Sequence, residues 1–158
     1  MSKLNQSLRA QCKCGSNTIT IKSEPLMRTV CHCRFCQEYT GRDKSDFVIY
    51  RNSDVELPPA EKSHFRAFKK PQFVSRGTCT SCGGPAYEHV RIPLLPNMVI
   101  IPVPNHEQTS TLPAPSLHMF YHRRKADVND PHPKYSNPLN SEWQFISRLI
   151  GALFFSSR

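Results

Sequence analysis

Seven cysteines fall into three tight groups: Cys12 and Cys14 in C-K-C-G, Cys31, Cys33 and Cys36 in C-H-C-R-F-C, and Cys79 and Cys82 in C-T-S-C-G. Cysteines two or three residues apart present their sulfurs from one turn, where a tetrahedral zinc ion accepts them at about 2.3 Å. Two such turns close a cage. Spacing alone permits two groupings. One joins Cys33 and Cys36 to Cys79 and Cys82 as a zinc ribbon and strands Cys12, Cys14 and Cys31. The other joins Cys12 and Cys14 to Cys79 and Cys82 as a closed site and leaves Cys31, Cys33 and Cys36 as three ligands on one loop. The second uses every cysteine, and its three-sulfur site keeps a fourth position for water or substrate, as catalytic zinc sites do. A second structural zinc, completed by a nearby histidine, is the plainer reading of that loop. Gly15 and Gly83 each follow a cysteine, where a turn around a metal needs a positive φ.

These turns must be held by a small scaffold. The chain has 158 residues, 38% hydrophobic content and 14 prolines, which limits the apolar core and makes bound metal a natural source of folding free energy. An odd cysteine count in close groups does not suit a secreted disulfide framework, and the start MSKLNQSLRA lacks an apolar signal segment, so a reducing cytoplasm is expected. No run approaches the roughly 20 apolar residues of a membrane span. A formal charge of +9 favours anionic partners without choosing among them.

Strand signals, β-branched and aromatic residues with alternation, appear at Thr18 to Ile21, Phe47 to Tyr50, Phe65 to Phe68, Phe73 to Ser75, Val99 to Val103 and Leu117 to Tyr121. Prolines between them break long helices, so a compact, mainly antiparallel β architecture is expected. Arg34 to Thr40, stopped at Gly41, suits a short helix. The polar, proline-rich stretch 126–140 reads as a surface connection that closes a domain spanning 7–125. Beyond it, Ser141 suits the cap of a C-terminal helix over 141–158, with Trp143, Ile146, Leu149, Ile150 and Leu153 on one apolar face. That face suits packing on the sheet or on a second copy of the chain, giving a homodimer.

The cysteine groups, in this order and followed by Pro115, His118 and Phe120 in a late P-x-x-H-x-F segment, resemble the glutathione-dependent formaldehyde-activating enzyme and centromere protein V family. The resemblance runs from about Ser7 to Tyr121. It implies an Mss4-like zinc-binding β fold, a structural zinc on Cys12, Cys14, Cys79 and Cys82, and a catalytic zinc on Cys31, Cys33 and Cys36. It also implies a carbon-sulfur lyase that joins formaldehyde to glutathione as S-hydroxymethylglutathione, with a small thiol and an aldehyde as partners. The sequence departs from the family in two places. HRRKADVND follows the His-x-Phe segment where a tryptophan is usual, the only tryptophan here being Trp143, and GRDKSDF follows the middle group where small residues are usual.

Arg34, Arg42, Lys44, Arg123 and Arg124 are available to receive the carboxylates of a peptide thiol. His32, between two ligands, should point away from the metal as a supporting or surface residue; His118 is a candidate for structural hydrogen bonding or acid-base work. The rival reading is a non-catalytic zinc module that binds protein or nucleic acid, but the basic residues are scattered among acidic ones rather than gathered on one face. A thiol redox or metal-storage role fits poorly with cysteines committed to zinc.

Overall fold

In the computed structural model residues 3–155 are described, with side chains from Ser7 onward. Among these residues ten strands form two sheets. The smaller holds β1 (Lys3–Gln11), β2 (Thr18–Ser23) and β5 (Val55–Glu56), with β2 in the middle. The larger runs in the order β10 (His118–Met119), β3 (Met27–Cys31), β4 (Ser45–Arg51), β9 (Met98–Pro102), β8 (Pro85–Val90), β7 (Val74–Cys79) and β6 (Ser63–Ala67). Every pairing of neighbouring strands is antiparallel except that of β10 with β3. The expected mainly β fold with a C-terminal helix is what the chain forms.

The alternation of side chains along β4 and β9 explains the layering. Val48, Tyr50, Val99 and Ile101 point to one face, where Ile19, Ile21 and Ala10 of the small sheet cover them. Phe47, Ile49, Met98 and Ile100 point to the other, against Leu117, Met119, Leu149, Leu153 and the sulfur-bearing Cys31 and Cys36. Both strands are thus buried on both sides, which is why they read as nearly continuous apolar runs.

Helix α1 (Arg34–Thr40) occupies the expected residues and stops at Gly41. The C-terminal helix α2 (Pro138–Phe154) starts three residues earlier than the sequence suggests: Asn137 is its cap and accepts the Asn140 amide, and Pro138 takes the first position. Ser141 lies inside the helix, fully buried. The expected end of this helix, residues 156–158, lies outside the described residues. Leu149 and Leu153 bury one face of α2, while Leu139, Trp143 and Phe154 remain exposed on another.

Residues 126–140 are mostly exposed, yet they do not hang free. The His118 amide donates to Pro133 and the Tyr135 amide to His118, so this segment is laid along β10. The strand expected over Leu117 to Tyr121 is only two residues long, because Phe120 turns into the left-handed region at φ 52° and Tyr121 begins a 3-10 turn. No helix among the described residues is long and apolar enough to cross a membrane.

Candidate metal centres

Cys12 and Cys14 leave the end of β1, while Cys79 and Cys82 form the β7 to β8 turn. Gly15 at φ 78° and Gly83 at φ 70° let each chain double back beneath the sulfurs. Cys14 Sγ stands 3.6 Å from Cys12 Sγ and 3.7 Å from Cys79 Sγ. Tetrahedral ligands at about 2.3 Å from zinc lie about 3.8 Å from one another, so these separations fit a metal cage. Backbone amides aim inward as well. Asn17 donates to Cys12 Sγ at 3.3 Å, and Ser81 and Cys82 donate to Cys79 Sγ at 3.3 and 3.5 Å. Burial opposes ionisation of Cys79, but those two amides and the Ser16 hydroxyl outweigh it and bring the thiol down to about 5.

The second group is local. Cys31 ends β3, Cys33 caps α1 and Cys36 lies in its first turn, so one strand-to-helix bend gathers three sulfurs. The three lie within 4.8 Å of one another, as do the four sulfurs of the other group. Among the described residues no fourth cysteine, histidine or carboxylate joins this second set. The Cys36 amide donates to Cys33 Sγ at 3.4 Å. Hydrogen bonds from the Cys31 and Cys36 thiols hold Cys33 as its thiolate, while Cys31 is pushed well up by the same sharing and by burial. Three sulfurs crowded so closely cannot all ionise unless a cation lies among them, so the donor set fits a thiophilic metal. Both cysteine groups could hold metal ions, and the ribbon grouping of Cys33 and Cys36 with Cys79 and Cys82 does not form.

His32 is neither on the surface nor a ligand. Only 1% exposed, it points away from the sulfurs and meets His118 Nδ1 through its Nε2 at 3.0 Å. His118 Nε2 in turn meets Asp130 Oδ2 at 2.8 Å, and Lys134 Nζ closes on the other oxygen of Asp130 at 2.6 Å. His118 therefore supports the loop through His32. Gln37 of α1 adds a clamp, its side-chain amide donating to His32 O at 2.8 Å and Arg123 O at 2.9 Å.

Three residues of this site were not singled out from the sequence: Asp130, Arg76 and Glu88. Arg76 and Glu88 are direct partners across β7 and β8, with Nε and Oε2 3.2 Å apart. Arg76 Nη2 also reaches Cys36 Sγ at 3.7 Å. An arginine followed by a carboxylate twelve residues later is no motif; only the strand register makes it a pair. Of the cations expected to receive carboxylates, Arg34 opens α1 and is exposed, Arg123 is exposed with its carbonyl held by Gln37, and Arg124 is tied to Asp127 and stacked on Tyr121 at 4.4 Å. Arg42 and Lys44 line a cavity of 1150 Å³ beside Cys12 rather than beside the three-sulfur group.

A family model of the glutathione-dependent formaldehyde-activating enzyme matches residues 7–123. No curated protein matches the chain. Among solved structures, the crystal structure of a Rhodobacter sphaeroides protein is similar at a TM-score of 0.49 and 22% identity, covering 63% of this chain and 87% of that one.

Proposed function

The chain belongs to the glutathione-dependent formaldehyde-activating enzyme family, and from that membership we propose that it is a zinc-dependent carbon-sulfur lyase acting on a thiol-aldehyde adduct of the S-(hydroxymethyl)glutathione type. Cys12, Cys14, Cys79 and Cys82 would hold a structural zinc, and Cys31, Cys33 and Cys36 a catalytic one. The observation that carries the proposal is the inequality of the two groups, four converging sulfurs against three with no fourth side-chain donor among the described residues. Bound there, zinc would supply an open Lewis-acid position that favours the thiolate form of an incoming thiol.

The protein's part is to fix geometry and charge. Cys31, Cys33 and Cys36 hold one face of the site, and Gln37 and the His32 to His118 contact keep the loop from opening. Exposed Arg34 and Arg123 would receive the carboxylates of a peptide thiol. In the synthetic direction the thiol proton leaves to solvent, the sulfur lone pair forms an S–C bond with the aldehyde carbon, and the carbonyl pair moves to oxygen, which takes a proton from water. In the lyase direction the hydroxyl proton leaves to solvent, the carbonyl reforms as the S–C bond breaks with its pair on sulfur, and the released thiolate takes a proton from water. No electrons are gained or lost.

The test is zinc stoichiometry on the parent, Cys33→Ser and Cys82→Ser, paired with NMR exchange of formaldehyde and glutathione. The expected pattern is two zinc ions in the parent, a folded Cys33→Ser protein that has lost exchange, and an unfolded Cys82→Ser protein. Equal unfolding of both variants would remove the division of labour.

A further inference from the structure

Arg76 is a charged side chain in an apolar place, 11% exposed, and its partner Glu88 is 3% exposed. Burying such a pair rarely adds stability over an apolar pair, so its presence beside a cysteine group asks for another use. The guanidinium has three neighbours: the Glu88 carboxylate, the Phe68 ring at 5.2 Å and Cys36 Sγ at 3.7 Å. Phe68 is itself held by Arg66 at 4.4 Å and by Phe35 of α1 at 6.1 Å. Arg76 is thus held between a carboxylate, a ring and a sulfur, and one of its N–H groups is spent on that sulfur.

A site that brings a substrate thiol beside three protein thiolates faces a problem of choice, since any of the four sulfurs could attack an electrophile. Donors that engage a thiolate lone pair lower its basicity, and nucleophilicity falls with it. Cys33 has such a donor in the Cys36 amide. Cys36 has Arg76. An incoming thiol would have neither.

Resting on the lyase reading above, we propose that Arg76 holds Cys36 as a coordinating but poorly nucleophilic sulfur, so that Cys36 does not compete with the substrate's thiol for the aldehyde. Glu88 positions Arg76 from the neighbouring strand and limits how much positive charge reaches the sulfur.

The experiment is alkylation of the zinc-loaded full chain with iodoacetamide, with the rate at each cysteine read by peptide mass spectrometry. In Arg76→Met/Glu88→Gln, Cys36 should label several-fold faster than in the parent, since the sulfur loses the donor that engages its lone pair. Cys12, Cys14, Cys79 and Cys82 should keep their parent rates. Arg76→Lys opens similar space but keeps a cation, so its increase should be smaller. Equal increases in the Met and Lys variants would trace the effect to access and overturn the proposal, as would an unchanged Cys36 rate. Glu88→Gln, nearly isosteric, carries the test if the double variant does not fold: with more of the Arg76 charge reaching the sulfur it should label Cys36 more slowly than the parent, and an equal or faster rate would sink the idea. Zinc content of the same samples reports separately on the lyase reading, because the Arg76 contact acts on the sulfur whether or not the site is loaded.

Discussion

His118 Nδ1 lies 3.0 Å from His32 Nε2, and the two rings stack at 27° with their centroids 5.3 Å apart. The proton on each nitrogen can be deduced. Asp130, held below the usual carboxylate range against its desolvation by Lys134 and His118, is an acceptor, so His118 Nε2 carries a proton. Burial lowers both imidazoles and keeps them neutral, so His118 Nδ1 is bare and His32 Nε2 must donate to it. Nitrogen-detected NMR at pH 7 should find both rings as the Nε2–H tautomer. Replacing Asp130 by Asn should cost about 1–2 kcal/mol in urea unfolding by weakening a charged hydrogen bond. A Nδ1–H tautomer at His118 would reverse the order of the chain.

Ser141 joins three parts of the molecule. Its hydroxyl accepts from the Phe120 amide at 3.1 Å and donates to Tyr135 O at 2.9 Å, tying α2 to both the residue after β10 and the strap beside it. Phe120 sits at φ 52°, a conformation that non-glycine residues adopt only when their surroundings enforce it. Ser141→Ala leaves the part-buried Phe120 amide without its acceptor, while Tyr135 O keeps the Tyr121 amide, and should cost about 1–2 kcal/mol. Urea unfolding at constant zinc content measures it, and a loss below 0.5 kcal/mol, roughly the scatter of surface substitutions, would mean water replaces the hydroxyl.

Gly77 is where β7 passes closest to its neighbours. A Cβ there would stand 2.6 Å from the Phe65 ring and 2.8 Å from Tyr87 O. The ring could shift, but the backbone oxygen is fixed by the sheet. Gly77 O also accepts from Tyr39 Oη at 2.7 Å, which anchors the helix carrying Cys36 to β7. Gly77→Ala should therefore destabilise by about 1–3 kcal/mol through overpacking. Tyr39→Phe, which removes only the hydroxyl, should cost about 1 kcal/mol. Thermal unfolding of the two variants should preserve that order.

What could be read in advance was whatever is local. The cysteine spacing, the helix from Arg34 to its Gly41 stop, and the strands at Thr18 and Phe47 need no partner to declare themselves. β1 carries no such signal, because KLNQSLRAQ is polar and becomes a strand only by pairing with β2. β3 and β8 were missed for a related reason: MRTVC is short, and the charged residues of PAYEHV are satisfied only by partners elsewhere in the sheet. The cap of α2 was legible in Asn137-Pro138, a cap followed by the residue best tolerated at the first helical position, but the apolar periodicity drew attention to Ser141 instead. Asp130 and Glu88 could not be found locally, since each serves a residue twelve positions earlier in the chain through the fold alone.

His106 gives a pH test far from the sulfurs of the three-cysteine group. It is 6% exposed, its Nδ1 donates to Pro102 O at 3.0 Å, and its Nε2 accepts from Tyr50 Oη at 3.0 Å. Burial lowers its pKa below 6.5, against the opposing hydrogen bonds to Pro102 and Val103, with Arg28 and Asp46 the charges that face it. The unfolded chain therefore takes this proton first, and stability contributed above pH 6.5 is lost as pH falls toward the folded value, by up to about 1.4 kcal/mol per pH unit. His106→Gln cannot take the proton. It should be about 1–3 kcal/mol less stable than the parent at pH 7.5, where the lost hydrogen bonds dominate, and the gap should narrow as the pH falls to 5.5. Acid loss of metal acts on both proteins and cancels in the difference between their urea midpoints. A gap that stays constant or widens on acidification would mean that His106 is protonated as readily in the folded chain as in the unfolded one.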